Sequence, residues 1–286
     1  MIMGVYAVTG SASGMGHEAA QKLRDAGHTV IGVDIKNADV VADLSTAQGR
    51  RLAAAGVVAA AESRLDGAVL AAGLGPGRIA DRARLIAQVN YLGVVDLLDA
   101  WRPALAAAGR AKVVVFSSNA ATTTPLVPAR TVSALLAHDA DKAVRSLRFF
   151  GKDAAVFGYA ASKVAVSRWV RREAVKREWA GAGIRLNALA PGPIMTPLLQ
   201  EQLARPKEAK RIHLFPVPIG GFGNCEQLAD WVLFMLSDAA DFLCGSVIFV
   251  DGGSDAYFRA DDWPKPVPAY RMLPYLKRLR GKSFKA

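Results

Sequence analysis

Tyr159 and Lys163 stand four residues apart in Tyr-Ala-Ala-Ser-Lys. On a helix, positions i and i+4 share a face. A phenol with a pKa of about 10 is a poor base near neutrality. An ammonium beside it favours the phenolate. Such a pair can take a proton from an alcohol, or return one to a forming alkoxide. The same spacing also occurs on solvated helix faces, so the pair needs other groups around it to mean anything.

A second set lies near the N-terminus, in Thr9-Gly10-Ser11-Ala12-Ser13-Gly14-Met15-Gly16. Glycines let a turn bring its backbone, here including Ser13 and Met15, against a pyrophosphate. A helix that follows offers its free N–H groups and positive end to the phosphates. An isolated glycine turn looks the same. The position between a strand pattern and a helix pattern points to a dinucleotide loop. Asp34 closes the second apolar run, 18 residues after Gly16. A carboxylate there accepts hydrogen bonds from ribose hydroxyls and repels a 2′-phosphate. The glycine loop holds no Lys or Arg to offset it, Ile35 is neutral, and Lys36 lies one step further on. As a ribose ligand Asp34 selects NAD over NADP; as a solvated loop acid it selects nothing.

These groups need elements to hold them. Short apolar runs at Val5–Val8, Val30–Val33, Ala68–Leu70, Val113–Phe116, Arg185–Leu189 and Val247–Val250 read as strands buried on both faces. Helical patterns over 15–26, 89–108, 158–179 and 226–237 separate them, and the Ala-rich stretch 53–61 is helix-forming. Repeated βα units predict an α/β fold, a doubly wound parallel sheet of Rossmann type, in a single domain over 1–254. A basic tail over 255–286 follows, where Pro264, Pro266, Pro268 and Pro274 rule out a regular element.

Apolar residues make up 52% of the 286, enough for a sizeable core. Two cysteines, Cys225 and Cys244, make no disulfide framework, and no leader or membrane span is apparent, so a soluble cytoplasmic protein is expected. His17, His28, His138 and His213 do not cluster, and no metal site is expected. Trp169 and Trp179 are expected in the core or an interface. Lys207, Lys210 and Arg211 read as a solvated face rather than a receptor for an acidic substrate. The net charge of +11 invites a nucleic-acid reading, but seven basic residues and no acid fall within 264–286, so most of the charge belongs to the tail.

Taken in order, these motifs resemble the short-chain dehydrogenase/reductase family over roughly residues 4–254. The glycine loop is of that family's type. Asp43-Leu44 resembles its adenine motif, and Ala71-Ala72-Gly73 its post-strand turn, with Ala where Asn is usual. Asn90 falls at the family's helical Asn, and Ser117-Ser118 closes a strand as its catalytic Ser does. Pro191-Gly192 with Ile194 and Thr196 resembles the segment that holds the nicotinamide, and Asp251-Gly252-Gly253 the final turn. The resemblance implies NAD held by Gly10, Ser13, Gly14, Met15, Gly16, Asp34, Asp43, Leu44, Ala72, Gly73, Asn90, Tyr159, Lys163, Pro191, Gly192, Ile194 and Thr196. It implies Tyr159 as acid/base, Lys163 as ribose ligand and modulator of the Tyr, Ser118 as holder of the substrate oxygen, and Asn90 as holder of a relay water. Ser117 competes with Ser118. Strand alternation and the family motif favour Ser118.

Ser118 and Tyr159 are 41 residues apart, against roughly a dozen in most of the family. An insertion at about 124–151 is therefore expected, with Val132, Leu135, Leu136, Val144 and Leu147 spaced for a helix pair. Similar insertions mark the bacterial 3α-hydroxysteroid dehydrogenase/carbonyl reductase group, and aryl-alcohol dehydrogenases of the coniferyl alcohol type also look similar. The expected activity is NAD-dependent alcohol–carbonyl interconversion on a hydrophobic cyclic or aryl small molecule. Leu198, Leu199, Leu203, Leu214 and Phe215 are expected to cover the nicotinamide. The alternatives are an inactive dinucleotide-binding regulator, or a membrane or nucleic-acid binder using the tail. A homo-oligomer, dimer or tetramer, is expected, with the insertion obstructing the usual helix pairing. The tail is expected to be an arm on its own subunit or a partner, in preference to a membrane-surface segment; Trp263, Tyr270 and Tyr275 suit such packing.

Overall fold

β-Branched runs become strands where both faces of a sheet are covered. The computed structural model describes residues 3–77, 79–262 and 267–279. Its strands are β1 (Val5–Thr9), β2 (Thr29–Asp34), β3 (Val40–Val41), β4 (Gly67–Leu70), β5 (Lys112–Phe116), β6 (Arg185–Pro191), β7 (Ile194–Met195), β8 (Gly223–Asn224) and β9 (Val247–Val250). Seven form one parallel sheet in the order β3-β2-β1-β4-β5-β6-β9, and β7 pairs with β8 apart from it. The chain winds outward from β1 to β3, then returns to pair β4 with β1 on its other side. That reversal opens a crevice at the carboxyl ends of β1 and β4.

The helices are α1 (Gly14–Asp25), α2 (Ala47–Ala60), α3 (Arg82–Ile86), α4 (Gly93–Ala107), α5 (Ala120–Thr123), α6 (Ala129–Leu136), α7 (Ala140–Ser146), α8 (Ala154–Glu173), α9 (Pro197–Leu203), α10 (Pro206–His213), α11 (Cys225–Leu236), α12 (Ser254–Arg259) and α13 (Met272–Leu279). One face of the sheet packs on α2, α4 and α8 through residues such as Val57, Leu98, Trp101 and Val166. The other packs on α1 and α11 through Ala19, Leu23, Leu228 and Val232. No helix among the described residues is long and apolar enough to cross a membrane.

The six expected strands all form, and β3, β7 and β8 are added; with two residues each they are too short to show a period. The helix expected over 158–179 begins at Ala154 and ends at Glu173. Beyond it the chain turns back so that buried Trp179 meets Trp169 edge-on, centroids 5.7 Å apart, which an unbroken helix would prevent. Segment 124–151 carries α6 and α7, which pack on each other and, through α6, on α8. Asp139 caps α7 by accepting from the Lys142 N–H.

The tail departs from expectation. Regular structure continues past Ser254 as α12 and α13. Pro274 is the third residue of α13, where a missing N–H costs no helical bond, so proline does not exclude a helix there. Residues 267–278 are exposed rather than packed on their own subunit. Trp263, Pro264, Lys265, Pro266, Arg280, Lys282 and Lys285 lie outside the described residues.

Candidate active site

The glycine loop owes its shape to contacts that allow no side chain. Gly10 has φ +71°, and a Cβ on it would lie 2.8 Å from the Ala72 backbone nitrogen. On Gly16 it would lie 2.3 Å from the Gly10 carbonyl oxygen. The loop thus closes tightly over the β1–β4 crevice, held by Thr9 Oγ1 accepting from the Ala72 N–H at 3.1 Å. Ser13 is the extended residue before α1, and Gly14 has φ +60° beside Thr196.

Asp34 lies at the end of β2 and accepts from the Ala12 N–H at 3.0 Å and the Ile35 N–H at 2.7 Å. Its carboxylate is therefore fixed against the glycine loop. Beside it lies a cleft of about 520 Å³ lined by Ser11, Ala12, His17, Arg24, Asn37, Ala38 and Asp39. The buried Ser11 hydroxyl has no partner among the described residues. Arg24 is a cation that sequence reasoning missed, because it sits a helix length from the loop. Asp39 faces it at 3.6 Å and also accepts from the Gly32 N–H at 2.7 Å. Asp43 accepts from the Ser45 N–H at 2.9 Å, which shapes the turn through Leu44. Buried Arg50 then joins the Leu44 carbonyl at 3.1 Å to Gln88 at 2.9 Å and Asp96 at 2.7 Å.

That clamp leads to Asn90. Residues Ala87–Leu92 form a π turn, with the Gly93 N–H reaching back to the Gln88 carbonyl. π turns inside helices often mark functional sites. Asn90 accepts from the Leu74 N–H at 2.8 Å and donates to the Leu74 carbonyl at 2.9 Å. The resemblance gives Asn90 a relay water. In the structure its side-chain amide holds the lip of the second cleft at Leu74.

The second cleft, of about 240 Å³, brings together Ser118, Tyr159, Lys163, Gly73, Met15 and the segment from Pro191 to Thr196. Gly192 supports that segment close to Asp251; a Cβ there would lie 2.7 Å from the Asp251 Cα. Thr196 caps α9 by accepting from the Leu199 N–H at 3.2 Å. The two serines separate as strand alternation requires. Ser117 turns to Ser167 at 2.6 Å and donates to the Lys163 carbonyl. Ser118 meets Tyr159, and its Oγ also accepts from the Ala120 N–H at 3.1 Å.

The electrostatics differ from the expectation at Tyr159. Burial raises its pKa, and the Ser118 hydrogen bond only partly offsets this. Lys163 Nζ donates to the Phe116 carbonyl at 2.8 Å and stands 5.9 Å from the Tyr159 ring centroid. Burial lowers Lys163 itself from 10.5 to about 8. The site thus holds a neutral phenol hydrogen-bonded to a serine, with a dehydrated lysine one step deeper.

Over the cleft α9 contributes Leu199 and, unforeseen, Gln202. Leu214 points to solvent and Phe215 packs on Phe258 at 5.9 Å, so neither covers the site as expected. Gly75 and Pro76 form the opposite lip.

A family model described as enoyl-(acyl carrier protein) reductase matches residues 10–255. Over 258 residues the chain is 38% identical to the 3-alpha-hydroxysteroid dehydrogenase/carbonyl reductase of Comamonas testosteroni, spanning 90% of this chain and 98% of that protein. A shorter match, 41% over 95 residues, joins 33% of the chain to 37% of a 3-oxoacyl-[acyl-carrier-protein] reductase of Thermotoga maritima. The crystal structure of the 3-alpha-hydroxysteroid dehydrogenase from Pseudomonas sp. B-0831 complexed with NADH superposes with a TM-score of 0.83 at 42% identity, over 91% of this chain and 100% of that one.

Proposed function

The chain belongs to the short-chain dehydrogenase/reductase family of oxidoreductases, and we propose that it interconverts an alcohol and a carbonyl on a hydrophobic cyclic or aryl substrate with NAD. The observation that carries this reading is the single cleft holding Ser118, Tyr159 and Lys163 against Met15, Gly73, Ile194 and Thr196.

The residues present fit a dinucleotide. Gly10 and Gly16 close the loop against the chain's own backbone, where a Cβ would clash, and so set the loop at the N-terminus of α1. The orphaned Ser11 hydroxyl and the fixed Asp34 carboxylate lie at the loop's adenosine end. Gly10, Ser13, Gly14, Met15 and Gly16 would hold the pyrophosphate, and Asp34 the adenosine ribose. Asp43, Leu44, Ala72 and Gly73 would flank the adenine half. Pro191, Gly192, Ile194 and Thr196, with Asn90, Tyr159 and Lys163, would hold the nicotinamide half. Asp34 and Asp39 both bear on the place a 2′-phosphate would need, and Asp39 neutralises Arg24. This supports NAD over NADP. The similar Pseudomonas enzyme complexed with NADH supports it too.

Bound NAD supplies the hydride acceptor. The protein manages the proton. Ser118 and Tyr159 both direct hydroxyls at one substrate oxygen, so Tyr159 takes or returns the proton while Ser118 stabilises the developing charge. Its raised pKa keeps Tyr159 protonated, which suits donation to a forming alkoxide. Lys163, at about 8, exchanges its proton close to neutrality and can restore that of Tyr159. Leu199, Pro76 and Phe116 make the reacting end apolar. The same reading includes a domain over 1–254 with an insertion at about 124–151, and a homo-oligomer. A panel of hydroxysteroids, aryl alcohols, terpene alcohols and cyclic diols, each with NAD and NADP, tests it. Turnover of hydrophobic ring alcohols with NAD is expected. Best turnover of small polyols, or with NADP, overturns it.

A further inference from the structure

We propose that α13 docks the protein on an anionic lipid surface. The proposal does not depend on which substrate fills the cleft. The segment stands outside the catalytic fold: the family match ends at residue 255, and the Comamonas enzyme is spanned to 98% by 90% of this chain.

Three properties coincide there. The first is exposure. Tyr270 and Leu273 are 78% and 73% exposed, and Met272, Tyr275 and Leu276 also face solvent. The second is shape. At about 100° per residue, Met272, Tyr275 and Leu276 fall on one arc with Leu273 at its border, and Lys277 and Arg278 fall opposite. Apolar and basic faces on one short helix suit the boundary between headgroups and acyl chains. The third is charge. Across the described residues 267–279, Arg271, Lys277 and Arg278 are basic and none is acidic, which fixes the sign of the partner. A nucleic acid would meet the charges and leave the apolar arc in water. Two copies of the same tail would repel one another through their charge. An anionic bilayer surface covers both faces at once.

The test is flotation of the full chain with vesicles of pure phosphatidylcholine, or of phosphatidylcholine and phosphatidylglycerol in equal parts. Binding to the anionic vesicles alone is expected, weakening as salt rises. Each basic residue near such a surface strengthens binding roughly fivefold. Joint Lys277→Glu and Arg278→Glu substitution should therefore weaken it by about 25-fold or more. Joint Tyr275→Ser and Leu276→Gln substitution should also weaken it, because the apolar arc is lost. Both variants should keep wild-type turnover of a water-soluble ketone, which shows that they fold. No binding to anionic vesicles overturns the proposal. So does full binding by the Tyr275→Ser, Leu276→Gln protein, or a change in its oligomer size with vesicle binding intact.

Discussion

Lys163→Met separates what the buried ammonium does for chemistry from what it costs the fold. In the folded protein the lysine titrates at about 8 instead of 10.5, because burial disfavours its charge. At 1.36 kcal/mol per pKa step, this difference corresponds to ~3 kcal/mol. Below about pH 8 both folded and unfolded chains carry the proton, and the fold bears the whole cost. Between the two values the unfolded chain holds a proton that the folded one has lost, so wild-type stability rises with pH. Above 10.5 the cost has vanished. Methionine removes the cost but leaves the Phe116 carbonyl without its donor, a loss of about 1–3 kcal/mol. Near neutrality the variant should match the wild type or exceed it by up to ~2 kcal/mol. Toward pH 10 it should fall below it, a swing of ~2–3 kcal/mol across the range. Urea unfolding at several pH values without nucleotide measures this directly, since bound cofactor would add its own stabilisation. A stability difference that stays flat with pH would refute the burial argument, whatever happens to activity.

Gly16→Ala drives a Cβ against the Gly10 carbonyl and should weaken NADH binding by about tenfold or more, read by fluorescence titration. Asp34→Ala should raise kcat/KM with NADP relative to NAD by about tenfold, because it removes a like charge from the 2′-phosphate position; an unchanged ratio would move selectivity elsewhere. Arg50→Met deprives the partly exposed Asp96 of its arginine and frees both the Leu44 turn and Gln88. It should cost ~1–3 kcal/mol in urea unfolding, less than a fully buried pair would, and raise the KM for NAD more than it lowers kcat.

The sequence made much of this legible where one physical rule dominates. Short continuous β-branched runs bounded by turn residues and alternating with helical patterns point to strands of a parallel sheet, so β1, β2, β4, β5, β6 and β9 are readable. What stayed hidden depends on partners distant in sequence. The two residues of β3 have no period of their own, and they pair with β2 where Asp39 accepts from the Gly32 N–H and folds the connection back. The end of α8 is set by Trp179 reaching Trp169. Spacing put Tyr159 and Lys163 on one face, but it could not show that the lysine would bind the Phe116 carbonyl. Nor could it show that burial governs the phenol. In the tail, proline content argues against a helix, yet Pro274 sits in the first turn of α13, where helices tolerate it.

The central claim is that Tyr159 supplies the proton while the surrounding cleft binds and orients the reactants. Rapid mixing of the enzyme–NADH complex with a hydrophobic cyclic ketone, followed at the NADH absorbance, tests it in wild type and Tyr159→Phe. The wild type should oxidise NADH in the first turnover. The variant should bind NADH with nearly unchanged affinity and lose about 10²–10⁴-fold in that step. A variant that retained more than about a tenth of the wild-type rate would contradict the account, because general acid catalysis at that position could not then be contributing what is assigned to it.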